Sequence, residues 1–194
     1  MLRPIFKLIF RMMGWRIEGE PPTNLDKYVI TVGPHTSNWD FVMGVMVRSI
    51  TRMKVKYLAK QELFVFPFGW FFRALGGYPV NRTKNTNMVD NVVAIFEHHQ
   101  RFAIAVTPEG TRKKVQKLKT GFYYIADKAK VPIVMAGLDY KNKCAIFSDP
   151  FFPQGDIESD LRKIIGFYSN VTGKIPAYGI GGNELVLPGK AQSQ

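Results

Sequence analysis

The stretch "YVITVGPHTSNWDF", residues 28 to 41, places an apolar, β-rich run directly before a histidine and the start of a helical pattern. A short run that is apolar throughout is typical of a strand buried on both faces. Such strands occur in parallel sheets that helices cover on either side. The stretch therefore predicts an α/β fold with His35 at the carboxyl end of a strand, where open α/β sheets usually bind ligands.

Strand and helix patterns alternate along the rest of the chain. With 194 residues, of which 46% are hydrophobic, the chain has enough apolar surface for one ordinary core and no evident linker or repeat. We expect a single domain, with a mostly parallel sheet covered by helices on both faces and an N-terminal amphipathic helix. The predicted strands are 28–33, 54–59, 78–80, 102–107, 131–138 and a hairpin-like 144–149, and the predicted helices are 38–51, 86–99, 121–130 and one from Asp156.

The first seventeen residues, "MLRPIFKLIFRMMGWRI", have the pattern of a basic amphipathic helix. At 100° per residue Arg3, Lys7, Arg11 and Gly14 form one stripe, and apolar side chains fill the remaining surface. Such a helix suits the interface of an anionic bilayer, and we therefore expect residues 1–20 to be a membrane-interface helix. The alternative is a terminal helix packed on the core, with its basic side chains reaching outward.

The charge and the cysteine content restrict the class of protein. Twenty-seven Lys and Arg against fifteen Asp and Glu give a net charge of +12, which favours anionic partners. Because the basic residues are dispersed and no nucleic-acid-binding motif occurs, we do not expect nucleic acid among them. Cys144 is the only cysteine, so an intrachain disulfide and a thiolate metal cluster are both excluded. This content fits the cytoplasm.

His35 and Asp40 are five residues apart and would not share one face of a helix. They can meet if His35 precedes the helix and Asp40 lies in its first turn. A carboxylate that holds the Nδ1 proton of an imidazole leaves Nε2 free to accept a proton, as a general base requires. Alternatively, Ser37 and Asp40 match a helix-capping pattern in which Asp40 only satisfies free amides. These residues alone leave both interpretations open.

Two further segments place arginines beside predicted strands. "GGYPVNR", residues 76 to 82, ends in Arg82, and "PEGTR", residues 108 to 112, ends in Arg112 and follows a strand. A guanidinium group binds phosphate oxygens in pairs, and glycine lets the backbone approach a ligand. The alternative for Glu109 and Arg112 is an ordinary ion pair. The positive charge near Arg112 is extended by Lys113, Lys114, Lys117 and Lys119.

Together and in this order, these segments resemble the glycerophospholipid acyltransferase family, which includes the 1-acylglycerol-3-phosphate acyltransferases. The family's first block, a histidine followed by an aspartate five positions later, corresponds to "HTSNWD". Its second corresponds to "GGYPVNR", its third to "PEGTR" and its fourth to "VPIV" at 131–134. The resemblance covers about residues 28 to 140, and residues 21–194 would form the acyltransferase domain.

The resemblance implies transfer of a fatty acyl group from acyl-CoA or acyl-acyl-carrier protein to a hydroxyl of a lysophospholipid such as 1-acylglycerol-3-phosphate. His35 would be the general base and Asp40 would orient it. The attack would be direct, and no metal and no cofactor other than the donor is expected. The partners would be an anionic membrane surface, the lysophospholipid and, where it carries the acyl group, acyl carrier protein, and the enzyme would be peripheral on the cytoplasmic face. The residues implied for phosphate binding are Arg82, Glu109, Gly110, Thr111 and Arg112.

The segment "LFVFPFGWFF", residues 63 to 72, is apolar along its length but too short to span a bilayer. It fits a packed core helix, an acyl groove or a segment that dips into lipid equally well. Its candidate acyl-chain or membrane residues are Phe64, Phe66, Phe68, Trp70 and Phe71.

Two alternative activities remain from the sequence. Relatives of the family acylate lyso-amino-acid lipids, and nothing in these residues excludes that acceptor. A lipid esterase would use Ser37 with His35 and Asp40, but the chain has no Gly-x-Ser-x-Gly segment.

Overall fold

A computed structural model describes residues 2–67, 69–80 and 88–180 of the chain. The described residues form a seven-stranded sheet with helices on both faces. The strands are β1 (Arg16–Glu18), β2 (Lys27–Gly33), β3 (Val55–Lys60), β4 (Gly77–Val80), β5 (Phe102–Val106), β6 (Ile133–Asp139) and β7 (Cys144–Phe147). The helices are α1 (Arg3–Met12), α2 (Trp39–Thr51), α3 (Gly69–Ala74), α4 (Met88–His98), α5 (Gly121–Ala129) and α6 (Ile157–Ser169).

The sheet has the order β1-β7-β6-β2-β5-β3-β4. The five strands from β6 to β4 run parallel, and β7 is antiparallel to β6. β2 lies between β5 and β6, and its side chains alternate between two apolar clusters. Val29 packs with α4, α5 and α6 on one face, and Ile30 packs with α1 and α2 on the other. The predicted single α/β domain with a mostly parallel sheet is confirmed.

The N-terminal segment differs from the sequence prediction in its length. The helix ends at Met12, Gly14 turns the chain with φ +77°, and residues 16–18 form β1 instead of continuing the helix. β1 pairs in parallel with β7 at the edge of the sheet. The region of the apolar segment 63–72 is also divided, between a 3₁₀ turn at Gln61–Phe64 and the short helix α3.

Helix α1 has one packed side and one exposed apolar side. Phe10 and Trp15 are buried in the cluster beneath α2, and Arg3 Nε donates a hydrogen bond of 3.0 Å to the carbonyl of Ile50. No helix within the described parts of the chain is long and apolar enough to cross a membrane. The binding of residues 1–20 to a membrane surface stays a prediction. The apolar side chains that α1 exposes are Leu2, Ile5, Leu8, Ile9 and Met12.

Candidate active site

The expected contact between His35 and Asp40 is present. Strand β2 ends at Gly33 and α2 begins at Trp39, so His35 lies in the connecting loop and Asp40 in the first helical turn. His35 Nδ1 is 3.2 Å from Asp40 Oδ2, and the two side chains are 17% and 2% exposed. The carboxylate is thus buried behind an imidazole whose other edge can reach a ligand.

The Asp40 carboxylate also binds the loop that carries His35. Oδ2 accepts hydrogen bonds of 2.8 Å from the amides of Thr36 and Ser37. The capping interpretation and the histidine-orienting interpretation therefore both describe this side chain. Burial alone would raise the pKa of Asp40, but its hydrogen bonds with His35, Tyr140 and the two loop amides bring that pKa below its usual value. Asp40 is accordingly an anion beside the imidazole.

Tyr140 is a member of the site that the sequence analysis missed. It follows β6, the neighbour of β2, and its hydroxyl donates a hydrogen bond of 2.7 Å to Asp40 Oδ1. Burial and the nearby carboxylate both raise the pKa of Tyr140, so the phenol keeps its proton. No motif identified this residue, since its role depends on the pairing of two strands about a hundred residues apart in the chain.

Glu109 lies beneath the site instead of at its surface. It is only 2% exposed, and its Oε1 accepts a hydrogen bond of 2.8 Å from the backbone amide of His35. Its Oε2 has no hydrogen-bond partner among the described residues. Within that part of the chain, Glu109 and Arg112 also do not form an ion pair with each other. Burial raises the pKa of the Glu109 carboxyl. The side chain therefore supports the His35 loop.

Arg112 lies on the open side of the imidazole. Its Nε is 3.4 Å from His35 Nε2, and its side chain is exposed. Gly110 makes the preceding turn with φ +66°, and the Thr111 hydroxyl accepts a weak hydrogen bond from the amide of Lys113. A guanidinium group that donates to Nε2 requires the imidazole proton to be on Nδ1, facing Asp40. Of the two predicted phosphate-binding arginines, Arg82 lies outside the described residues.

A cavity of about 200 Å³ adjoins His35 and Asp40 between α2 and the sheet. Its lining is mainly apolar and follows α2 as far as Arg48, with side chains from β2, β3, β5, β6 and β7 forming the opposite wall. Gly44 faces it, and a Cβ atom built there would have no other heavy atom within 4 Å. The sequence analysis did not identify this cavity, because its walls come from elements that are distant in the chain.

The described aromatic side chains of the segment 63–72 do not line this cavity. Phe64 is buried, whereas Phe66 is 95% exposed and Trp70 and Phe71 are also exposed. Phe68 lies outside the described residues. Three of these aromatic side chains are thus accessible from outside the fold, and the role of the segment in acyl-chain or membrane binding stays a prediction.

The segment after α6 forms part of the rim of the site and was not predicted. The amide of Ile175 donates a hydrogen bond of 3.1 Å to the Thr36 hydroxyl, so the segment is attached to the loop that carries His35. Lys174 places its ammonium group 5.0 Å from the ring centre of Trp39 at the start of α2. The Lys174 cation thereby lies beside the start of α2.

The chain is similar to known proteins in sequence and in fold. A sequence model of a family described as Acyltransferase matches residues 15–138. A search of curated proteins gave no match. Among solved structures, the chain is similar to the 1-acyl-sn-glycerophosphate (LPA) acyltransferase of Thermotoga maritima, with a TM-score of 0.56 and 21% identity over 86% of this chain and 74% of that one. At 21% identity, the similarity to this solved structure concerns the fold alone.

Proposed function

Because the chain belongs to the acyltransferase family, we propose that it transfers a fatty acyl group from a thioester donor to a hydroxyl of a lysophospholipid such as 1-acylglycerol-3-phosphate. The observation that carries this proposal is the position of His35. The imidazole has a buried carboxylate on one side, a guanidinium group on the other and an apolar cavity beside it. The similar Thermotoga maritima protein is a 1-acyl-sn-glycerophosphate acyltransferase, which supports the same acceptor.

In the proposed reaction, the acceptor hydroxyl takes the place of the Arg112 guanidinium at His35 Nε2, and Nε2 removes its proton. The hydroxyl oxygen attacks the thioester carbonyl and forms a tetrahedral intermediate. Its collapse breaks the carbon–sulfur bond, and the thiolate of CoA or acyl carrier protein leaves with the proton that His35 holds. Asp40 stabilises the imidazolium that forms between these steps. No covalent enzyme intermediate, metal ion or further cofactor takes part.

The acceptor's phosphate would bind next to Arg112, which is within hydrogen-bond reach of the imidazole. Arg82 is proposed as a second phosphate ligand, and Gly110 and Thr111 shape the turn that presents Arg112. Glu109 does not suit phosphate binding, because a buried carboxyl bound to the His35 amide is poorly placed to hold an anion. We therefore propose that Glu109 supports the loop of His35 instead of contacting phosphate.

The fatty acyl chain would occupy the apolar cavity along α2. From Asp40 to Arg48 the helix rises about 12 Å at 1.5 Å per residue, which is long enough for a substantial part of an extended chain. Each methylene group buried there contributes about 0.8 kcal/mol. The position of the cavity beside His35 would bring the thioester carbonyl, at the head of the chain, to the base.

We further propose that the enzyme is peripheral on the cytoplasmic face of an anionic membrane. The exposed apolar side of α1 carries Ile5 and Leu8, and the flanking Lys7 and Arg11 favour anionic headgroups. The exposed aromatic residues Phe66, Trp70 and Phe71 suit the same interface. This location would bring the enzyme to a substrate that resides in the bilayer.

The reaction is tested by incubating purified protein with mixed lysolipids and each thioester donor, followed by mass spectrometry of the products. The mixture includes lysophosphatidic acid and a lyso-amino-acid lipid, so the product also identifies the acceptor. Formation of an acylated lysophospholipid is expected, and acylation of the amino-acid lipid alone would show that the proposed acceptor is wrong. Release of free fatty acid as the only product would indicate an esterase instead.

His35→Ala should lower kcat by about 10²- to 10⁴-fold, the usual contribution of a general base. His98→Ala is the matched control, because His98 is an exposed histidine at the end of α4. Circular dichroism should show the same fold for both variants. If His35→Ala kept most of its activity, the general-base role would be refuted.

A further inference from the structure

The Asp40 carboxylate is held by donors on both of its oxygens. Oδ2 faces His35 Nδ1 and the amides of Thr36 and Ser37, all from the loop before α2. Oδ1 accepts a hydrogen bond from the Tyr140 hydroxyl, at the end of β6. A partial rotation of the carboxylate about its χ2 bond would weaken the contacts of both oxygens. The Tyr140 hydroxyl therefore adds a constraint at Oδ1 to the one that the loop donors impose at Oδ2.

Tyr140 is itself held at its ring and at its backbone. Trp15 packs edge-on against it, with ring centres 5.0 Å apart, and Phe10 of α1 packs against Trp15 in turn. The backbone amide of Tyr140 donates a hydrogen bond of 2.9 Å to the carbonyl of Thr172. A phenol held in this way loses little conformational entropy when its hydroxyl donates a hydrogen bond to Asp40.

We propose that Tyr140 is a positioning residue of the acyltransferase, which fixes the Asp40 carboxylate so that the His35 proton stays on Nδ1 and the lone pair stays on Nε2, the atom that Arg112 contacts and that would accept the substrate proton. Tyr140 lies outside the four sequence blocks that identify the family, and it acts through Asp40 without contact to substrate. The inference rests on the proposed function for its effect on catalysis. The control of the imidazole proton by Tyr140 does not rest on the proposed function.

The alternative is that the hydrogen bond only stabilises the fold. The chain offers a matched comparison, because Tyr123 donates a similar hydrogen bond of 3.1 Å to the buried carboxylate of Asp160, far from His35 in the sequence and on the other face of the sheet. Loss of either hydroxyl leaves a buried carboxylate oxygen without its tyrosine donor. A purely structural role predicts the same outcome for Tyr140→Phe and Tyr123→Phe.

The first test is ¹⁵N nuclear magnetic resonance of the imidazole groups at a pH where they are neutral, with His35 assigned by comparison with His35→Gln. In the unaltered protein the shifts should show one dominant tautomer with the proton on Nδ1. Tyr140→Phe should give a mixture of tautomers, as Asp40→Asn should, whereas Tyr123→Phe should give the pattern of the unaltered protein. Identical His35 shifts in Tyr140→Phe and the unaltered protein would overturn the inference.

The second test is steady-state kinetics of the same variants. Tyr140→Phe should lower kcat about tenfold, since a hydrogen bond to a charged group is worth that factor or more, and should leave both KM values unchanged. Equal losses in Tyr140→Phe and Tyr123→Phe would overturn the positioning role. Tyr140→Met also removes the hydroxyl and replaces Tyr140→Phe should that variant not fold. If the unaltered protein transferred no acyl group, the proposed function would fail, and the tautomer measurement would still decide the role of Tyr140.

Discussion

His35 and Asp40 share a hydrogen bond because a strand ends and a helix begins within the few residues that join them. The loop between them is held from below by Glu109 and from the helix by Asp40 itself. A histidine on a free loop would adopt many orientations, whereas His35 is fixed at its backbone amide and at Nδ1. The residues around it therefore have testable effects of different kinds.

Glu109→Gln should change how stability depends on pH. Because burial raises the pKa of Glu109 above its ordinary value of 4.5, the folded state binds this proton more tightly than the unfolded state. The stabilisation is therefore complete below the ordinary pKa and is lost as the pH rises through the folded-state pKa. Glutamine keeps a carbonyl oxygen for the His35 amide and does not ionise. Relative to the unaltered protein, the variant should thus gain stability as the pH approaches neutrality.

The measurement is the free energy of unfolding in urea at several pH values from about 4 to about 7.5. Glu97→Gln, which changes an exposed glutamate on α4, is the control and should parallel the unaltered protein. Parallel curves for all three proteins would contradict the role given to the buried carboxyl.

Arg112→Gln should raise the KM of the acceptor about tenfold or more, with a smaller effect on kcat. The reason is that a guanidinium group beside the imidazole binds phosphate through paired hydrogen bonds, which glutamine cannot form. Arg162→Gln removes the same charge from the exposed side of α6 and should have little effect. An acceptor KM unchanged by Arg112→Gln, measured with lysophosphatidic acid, would argue against phosphate binding at this position.

At the scale of residues, the sequence predicted the contact that depends on neighbours in the chain and missed those that depend on the sheet. The His35–Asp40 contact follows from one strand end and one helical turn. Tyr140 reaches Asp40 only because β6 pairs with β2, with Gly137 beside Gly33. The inward direction of Glu109 likewise depends on how the loop after β5 folds under β2. No local pattern in the sequence indicates the pairing of β6 with β2 or the conformation of the loop after β5.

Among the elements, α1 shows how far hydrophobic periodicity can be interpreted. The pattern predicted an amphipathic helix, and the structure has one at Arg3–Met12. Packing on the core was the alternative that the pattern left open, and the burial of Phe10 and Trp15 fits it. The pattern did not predict that residues 16–18 would form a strand, because three residues paired with β7 carry no period of their own. A helix with apolar residues on most of its surface can be packed on one side and bind lipid on the other.

The double variant Ile5→Gln, Leu8→Gln should weaken binding to anionic vesicles by about tenfold for each residue, since a buried leucine or isoleucine contributes about 1.5–3 kcal/mol when fully removed from water. Both side chains are more than half exposed, so the melting temperature should stay the same. Binding is measured by co-sedimentation with vesicles that contain phosphatidylglycerol.

The matched control for α1 is Phe152→Gln, which removes an equally exposed apolar side chain outside the helix. It should bind vesicles as the unaltered protein does. Should the α1 double variant also bind unchanged, the exposed side of α1 would not be the membrane contact.

Over the whole molecule, the sheet divides the apolar residues into two clusters with different tasks. The cluster with α4, α5 and α6 is a filled core, whereas the face that carries α1 and α2 also encloses the cavity beside His35. The strands were predicted one by one from their composition. Their order in the sheet was not, because it depends on which strands pair. The cavity has walls from five strands and a helix, so it could not be predicted without that order.

Gly44→Leu tests whether the acyl chain occupies the cavity and whether Gly44 lowers the stability of α2. A glycine inside α2 costs about 1 kcal/mol relative to good helix formers, and a leucine side chain there would extend into open space. The variant should therefore melt at a higher temperature and fill part of the volume proposed for the acyl chain. Its preferred donor should become shorter by about three methylene groups, each of which contributes about 0.8 kcal/mol to binding.

The readout is the ratio of kcat/KM for a series of donors that differ only in chain length, measured beside thermal unfolding. Gly166→Leu is the matched control, because Gly166 is an exposed glycine within α6 that also has no heavy atom within 4 Å of a built Cβ. That change should raise the melting temperature and leave the chain-length preference unaltered. A Gly44→Leu enzyme that is more stable and keeps the original preference would place the acyl chain outside this cavity, since the same side chain would then fill a space that the substrate does not use.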